Sequence, residues 1–432
     1  MYKLSLLLIA GLLSNSALAQ LSSVEKGLIN QVDHNNPEAV TLLKDIVNIN
    51  SGTMNFSGVK KVADRLIPEF EALGFNAHFE DGSAFNRAGH LIAEYKSGKG
   101  PQILMIGHLD TVFEADSPFQ HFEMLDNNMA KGPGIADMKG GDVIILQALK
   151  ALHQANELQG LNIRVVMTGD EELNGRPLAK SKQALVDAAK WADIALGFEN
   201  GDGNPRTANV SRRGSVDWTL TISGHASHSS QIFKDKVGAG AIYEASRILN
   251  QFYQQLRSEP LLTFNPGRIM GGTTVHHNKM NNSGDTFGKN NVVAQSAIVT
   301  GDIRAASLEQ LERVKDKMRK IVADNLPQTQ SVIEIGEGYP PMGATDGNQQ
   351  LLSIYSNVSQ DLGQGQVEAV NPLNAGAADV SFTAQYVSMA LDGLGMSGTA
   401  GHTVNETGNM VSLPNQTKRA ALLLYRLKTM AK

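Results

Sequence analysis

The 432-residue chain contains no cysteine. Disulfides are excluded as a source of stability, and a chain of this length can bury enough core to do without them. Any metal ion must then be held by histidine and carboxylate side chains. Long runs of one charge are also missing, and the balance of 43 acidic to 38 basic residues gives a net charge of −5. That composition argues against nucleic acid or an anionic membrane surface as a partner. Internal repeats, low-complexity linkers and bilayer-length apolar segments are absent too.

What remains is ordinary globular composition, 41% hydrophobic and 19% charged, at a length suited to two domains. The first residues, MYKLSLLLIAGLLSNSALA, combine an early lysine, a short apolar run and a small-x-small site before Gln20. They read as a signal peptide over 1–19, so the mature protein is expected to be exported, periplasmic or secreted, and free of the membrane.

Helix is expected from Asn36, with Pro37 in its first turn, and again from about Ser57 to Leu73, with Pro68 kinking or dividing it. Strand-like runs follow at 75–80, 90–95, 102–110, 163–170 and 192–199, alternating with helices at about 141–155 and 177–189. Apolar strands alternating with helices predict an α/β unit with a mostly parallel sheet. After Arg213 the pattern changes to β-α-β-β-α-β, the order of a ferredoxin-like α+β unit with an antiparallel sheet. From about Pro341 the first pattern resumes, with helices near 346–362 and 378–385, a strand through Met389, and a last helix from Pro414. The expected organisation is a larger unit made of 20–210 and 341–432, with 211–340 inserted into it.

The chemistry-bearing residues cluster where strands end. GHLDT holds His108 and Asp110, GPGIADMKGG holds Asp137, GDEELNG holds Glu171 and Glu172, LGFEN holds Glu199, and AGHTVNE holds His402. Ligands bind at the carboxyl ends of strands in open α/β sheets, so this repeated placement reads as a two-metal hydrolase site with Asp137 as bridge. Asp110, two residues beyond His108, can reach the imidazole and fix its tautomer, or be a ligand itself. Of adjacent Glu171 and Glu172, one can ligate while the other takes a proton from a water acidified by metal.

These motifs, with GHASHS at 224–229, resemble those of the two-zinc exopeptidases and deacylases that include bacterial glutamate carboxypeptidase, aminoacylase and succinyl-diaminopimelate desuccinylase. The resemblance spans nearly the whole mature chain. It implies a catalytic α/β unit of zinc-exopeptidase type with an inserted lid and dimerisation unit, and two zinc ions per subunit, cobalt or manganese being possible substitutes. By the same resemblance Asp137 bridges the ions, His108 and Glu199 complete one site, and Glu172 and His402 complete the other. Glu171 matches the general base and Asp110 the acid that orients a histidine. Arg304 matches an arginine that grips the substrate carboxylate, Asn291 an asparagine near it, and Gly376 part of a substrate-binding loop. His228 matches a histidine that reaches the neighbouring subunit's site, which implies a homodimer through the lid. Asn200 stands after Glu199 where many relatives have proline, and glutamate at 199 resembles the carboxypeptidase and deacylase branch. Asp379 reads as a structural loop acid, and Trp218 as core.

The expected activity is removal of a C-terminal amino acid, glutamate foremost, from a small peptide or N-acyl amino acid. The alternatives are a deacylase or dipeptidase, and a binding protein that keeps the fold without the chemistry.

Overall fold

Continuous apolar runs build the central sheet. The computed structural model describes residues 21–98, 100–279 and 283–430, and the signal segment read at 1–19 lies outside them. Six strands lie side by side in the order Asn76–Asp81, Gly89–Lys96, Asn162–Thr168, Gln102–His108, Ile194–Gly197 and Met389–Leu391. The last four are mutually parallel, and Gly89–Lys96 near one edge runs antiparallel to both its neighbours. Parallel strands are covered on both faces, which is why ILMIGH and IRVVMT need no polar alternation. One face packs on helices Ser23–Val47, Phe56–Ala72, Gly140–Gln154 and Ser412–Met430 through a core that includes Leu43, Phe70, Leu146 and Leu423. The other face packs on Gln183–Trp191 through Leu104, Ile106, Val166 and Leu185. The mostly parallel sheet is as expected.

Three local expectations are corrected. The first helix does not start at Asn36 but runs over Ser23–Val47 with Pro37 inside it. Its start is a capping box: Ser22 Oγ accepts the Glu25 N–H at 3.2 Å and Glu25 Oε2 accepts the Ser22 N–H at 2.8 Å. The second helix, Phe56–Ala72, continues unbroken through Pro68. An interior proline costs about 3 kcal/mol, and the buried faces (Leu28, Val32, Leu42 and Ile46; Val59, Val62, Leu66 and Phe70) outweigh it. The helix expected at 378–385 is only the short 3-10 turn Asp379–Phe382.

In the inserted unit, strands stand in the order Gln330–Ile335, Val216–Ser223, Ser296–Arg304, Thr263–Gly272, all antiparallel. Helices Ala241–Leu256 and Leu308–Ala323 bury Ile248, Phe252, Val314 and Met318 against Trp218, Leu220 and Val299. This is the expected ferredoxin-like arrangement. A polar hairpin, Thr274–Asn278 paired with Ser283–Phe287, was not anticipated, because its exposed strands carry no apolar alternation.

The chain crosses between the units twice, and the crossings pair with each other. Arg212 and Met342 exchange backbone hydrogen bonds of 2.9 Å, and Ser215 and Tyr339 exchange bonds of 3.0 Å.

Candidate active site

The parallel strands deliver their ends to one place. His108 is the last residue of Gln102–His108, Glu171 and Glu172 follow Asn162–Thr168, and Glu199 follows Ile194–Gly197. Asp137 lies in the turn before Gly140–Gln154. Glycine is required around it: Gly134 has φ 70°, and a Cβ on Gly141 would lie 2.0 Å from the Phe198 carbonyl oxygen. His402 arrives from a distant loop, at φ 61°, and stands on the exposed rim.

Two ligand groups form around one shared carboxylate. His108, Asp137 and Glu199 make the first, and Asp137, Glu172 and His402 the second, each with its ligand atoms within 4.8 Å of one another. Asp137 Oδ1 faces His108 Nε2 at 3.3 Å, and its Oδ2 faces His402 Nε2 at 3.1 Å. Glu199 Oε1 is 3.5 Å from His108 Nε2, and Glu172 Oε2 is 3.2 Å from His402 Nε2.

The charges of this cluster show what it is built to hold. Burial and neighbouring carboxylates push Glu171 and Glu199 well above the usual carboxylate range against the pull of His108, and Glu172 is raised by burial despite its bond to His402. Burial alone would lower His108, but Glu199, Asp110 and Asp137 hold it well above its ordinary value. Hydrogen bonds to Asp137 and Glu172 lift His402 to about 11. Those two histidines in turn hold Asp137 low against the effect of burial. Four carboxylates (Asp137, Glu171, Glu172 and Glu199) crowd around two imidazoles, a site rich in negative charge. Two divalent cations would supply four positive charges to a set of hard and borderline donors. The residues fit that group.

Asp110 meets His108 through both its main chain and its carboxylate. The His108 Nδ1–H donates to the Asp110 backbone carbonyl at 2.9 Å, which leaves Nε2 facing Asp137 and Glu199. The Asp110 carboxylate lies farther off, with Oδ1 at 3.5 Å from Nδ1. It also accepts from the Thr53 hydroxyl at 2.6 Å and from the N–H groups of Glu171 and Glu172 at 3.1 and 3.2 Å.

Several supporting residues escaped the sequence reading. Buried Glu406 accepts the N–H groups of Gly134, Ala136 and Asp137 at 2.9, 2.9 and 3.1 Å, fixing the turn that presents Asp137. Burial, with Asp137 close by, raises its carboxyl to about 7 despite those bonds. Buried Lys182 bridges Asp170 at 2.9 Å and Asp379 at 3.0 Å, which gives Asp379 its structural role. Arg212 donates from Nε to Asp392 at 2.5 Å, and the other oxygen of Asp392 accepts the Glu199 N–H at 3.3 Å. Tyr339 donates its hydroxyl to the Glu171 carbonyl oxygen at 2.7 Å. Burial and the Glu171 charge raise that phenol well above its ordinary value, so it stays a donor. Glu406, Lys182, Arg212 and Tyr339 end no apolar strand, the one signal that marked the others.

The remaining candidates stand apart from the ligand groups. Arg304 is partly exposed on the inserted unit and paired through Nε with Asp302 at 3.0 Å. His228 is exposed there too, its Nδ1 2.9 Å from Ser230 Oγ. Asn291 lies beside it, its carbonyl accepting the Ser229 N–H at 2.9 Å. Gly376 gives its carbonyl to Arg212 Nη1 at 2.8 Å, and a Cβ there would meet nothing within 4 Å. Among the described residues, none of these four hydrogen-bonds or ion-pairs with a member of the two ligand groups.

The profile described as Peptidase family M20/M25/M40 matches residues 104–426, a span that takes in both units and every member of the two ligand groups. The chain belongs to this family. It is a metallopeptidase or amidohydrolase, and the resemblance drawn from its motifs holds. Carboxypeptidase G2 of Pseudomonas sp. (strain RS-16) is 24% identical over 401 residues, covering 90% of this chain and 89% of that protein. A probable succinyl-diaminopimelate desuccinylase of Staphylococcus epidermidis is 24% identical over 334 residues, 73% of this chain and 80% of its own. In fold, the chain is similar to the aminopeptidase PepT of Bacillus cereus, with a TM-score of 0.72 at 18% identity, covering 91% of this chain and 99% of the other. Human carnosine dipeptidase 1 gives 0.63 at 15% identity over 94% and 99%.

Proposed function

We propose that this M20/M25/M40 protein is a two-metal exopeptidase that cleaves the amide bond of a C-terminal amino acid, glutamate foremost, in a small peptide or N-acyl amino acid. The observation that carries the reading is Asp137, shared by two ligand groups with Glu171 beside them. His108, Asp137 and Glu199 would hold one ion, and Asp137, Glu172 and His402 the other, with zinc as the expected metal and cobalt or manganese as possible substitutes. Two divalent ions held there would supply Lewis acidity toward the scissile carbonyl and a water. Glu171 accepts the proton from that water and delivers it to the departing amine nitrogen. The Arg304 guanidinium suits a substrate carboxylate because it can bond both oxygens at once.

A homodimer through the inserted unit belongs to this reading, with His228 crossing into the partner's site to bond the oxygen that becomes negative in the tetrahedral intermediate. Ile242, Tyr243 and Tyr253 on one helix and Val332 on the edge strand are exposed, which supports a covered face. The signal-like start supports export to the periplasm or beyond.

A second reading, N-acyl-amino-acid deacylase or dipeptidase, is favoured by relatives named succinyl-diaminopimelate desuccinylase and acetylornithine deacetylase. A binding protein without chemistry would have no use for Glu171. The deciding experiment incubates metal-loaded mature protein with N-acyl amino acids, dipeptides and their C-terminally amidated forms, and identifies the released amines. Release of C-terminal glutamate from free acids, with little turnover of the amides, is expected. Preferred release from acetyl or succinyl amino acids irrespective of the residue would favour the deacylase, and no release at all would sink both.

A further inference from the structure

The carboxylate of Glu171 has no hydrogen bond or ion pair of its own among the described residues. A base aimed at a water must nevertheless hold one direction, and here the direction comes from the main chain. The Glu171 N–H donates to Asp110 Oδ1 at 3.1 Å, and its carbonyl accepts from the Tyr339 hydroxyl at 2.7 Å. The residue is therefore clamped on both of its peptide groups. Tyr339 is itself well held. Its backbone pairs with Ser215 on the other crossing, its hydroxyl also lies 3.3 Å from Asn174 Oδ1, and its ring packs on Phe382 with centroids 5.0 Å apart.

We propose that Tyr339 is a positioning residue for Glu171, which sets the direction of the base from the ribbon that joins the two units. The inference rests on Glu171 being the base. The matching contact on the first crossing, Arg212 to Asp392 to the Glu199 N–H, shows the same construction on the ligand side. Removing the hydroxyl leaves every ligand in place and takes one of two hydrogen bonds from the 171–172 peptide, whose N–H still reaches Asp110 Oδ2 at 3.2 Å, so the damage falls on turnover and not on metal or substrate binding.

The test uses the full mature chain loaded with zinc. Tyr339→Phe keeps the ring against Phe382 and should lower kcat by roughly 3–10-fold, the worth of one hydrogen bond, with KM and metal content unchanged. Tyr339→Leu removes the ring as well and should lower Tm further while kcat per folded molecule matches that of Tyr339→Phe. In a Glu171→Gln background, adding Tyr339→Phe should cause no further loss, because no base remains to be aimed. Normal kcat in Tyr339→Phe while Glu171→Gln is inactive would overturn the role of Tyr339 alone. A kcat loss that tracks Tm across both variants, or the same fold-loss with and without Glu171, would mark a structural role and overturn it too. Near-normal activity of Glu171→Gln itself would refute the base assignment, and this inference with it.

Discussion

His108 meets both the main chain and the carboxylate of Asp110, its Nδ1 lying 2.9 Å from the backbone carbonyl and 3.5 Å from Oδ1, while that carboxylate also holds the loop of Glu171 and Glu172. Asp110→Asn should keep the main-chain bond to His108 and disturb the glutamate loop. An amide offers one acceptor oxygen where the carboxylate offers two, so one of the two N–H groups loses its partner. A drop of about 10–100-fold in kcat/KM is expected. Elemental analysis should show the His108 group still loaded; its selective depletion would give the carboxylate the larger share in orienting the imidazole.

Asp137 serves both ligand groups through opposite oxygens. Asp137→Ala should deplete both ions together, measured as metal per chain after dialysis. Retention of one full equivalent would refute the shared position.

For the base, Glu171→Gln preserves shape and removes the proton acceptor. It should keep its metals and lose about 10²–10⁴-fold in kcat. Near-normal kcat would transfer the role, Glu172 being the first suspect.

Among the described residues Glu406 makes no hydrogen bond or ion pair with a ligand side chain, yet it holds three N–H groups of the Asp137 turn. Replacement by Gln puts a donor where only donors point, so Glu406→Gln should weaken metal binding about 10–100-fold. Titration against a chelator of known affinity measures this, and unchanged affinity would mean that the turn stands without the carboxylate.

Sharing of His228 across a dimer predicts complementation. Inactive Glu171→Gln mixed with inactive His228→Ala should regain part of its activity once subunits exchange, since one site of each heterodimer then lacks neither group. A single oxyanion donor is worth about 10²–10³ in kcat, so recovery should stand clear of background. Exchange confirmed by mass with no recovery at all would refute the sharing.

The sequence by itself determined the sheet, because ILMIGH, IRVVMT and IALG are buried on both faces and leave the chain no other use for them. It determined the ligand candidates for the same reason: a parallel sheet brings its strand ends together, so polar residues just beyond apolar runs converge. How those residues are held depends on contacts between distant parts of the chain. Proline breaks a helix on local grounds, yet Pro37 and Pro68 sit inside helices whose buried faces outweigh the lost bonds. The partners of the site are far apart in the chain and announced by no period: Glu406 beneath Asp137, Tyr339 against Glu171, Arg212 through Asp392 to Glu199. Hydrogen bonds of that kind depend on where two backbones pass in space, and a strand pattern carries no record of its neighbour's neighbour.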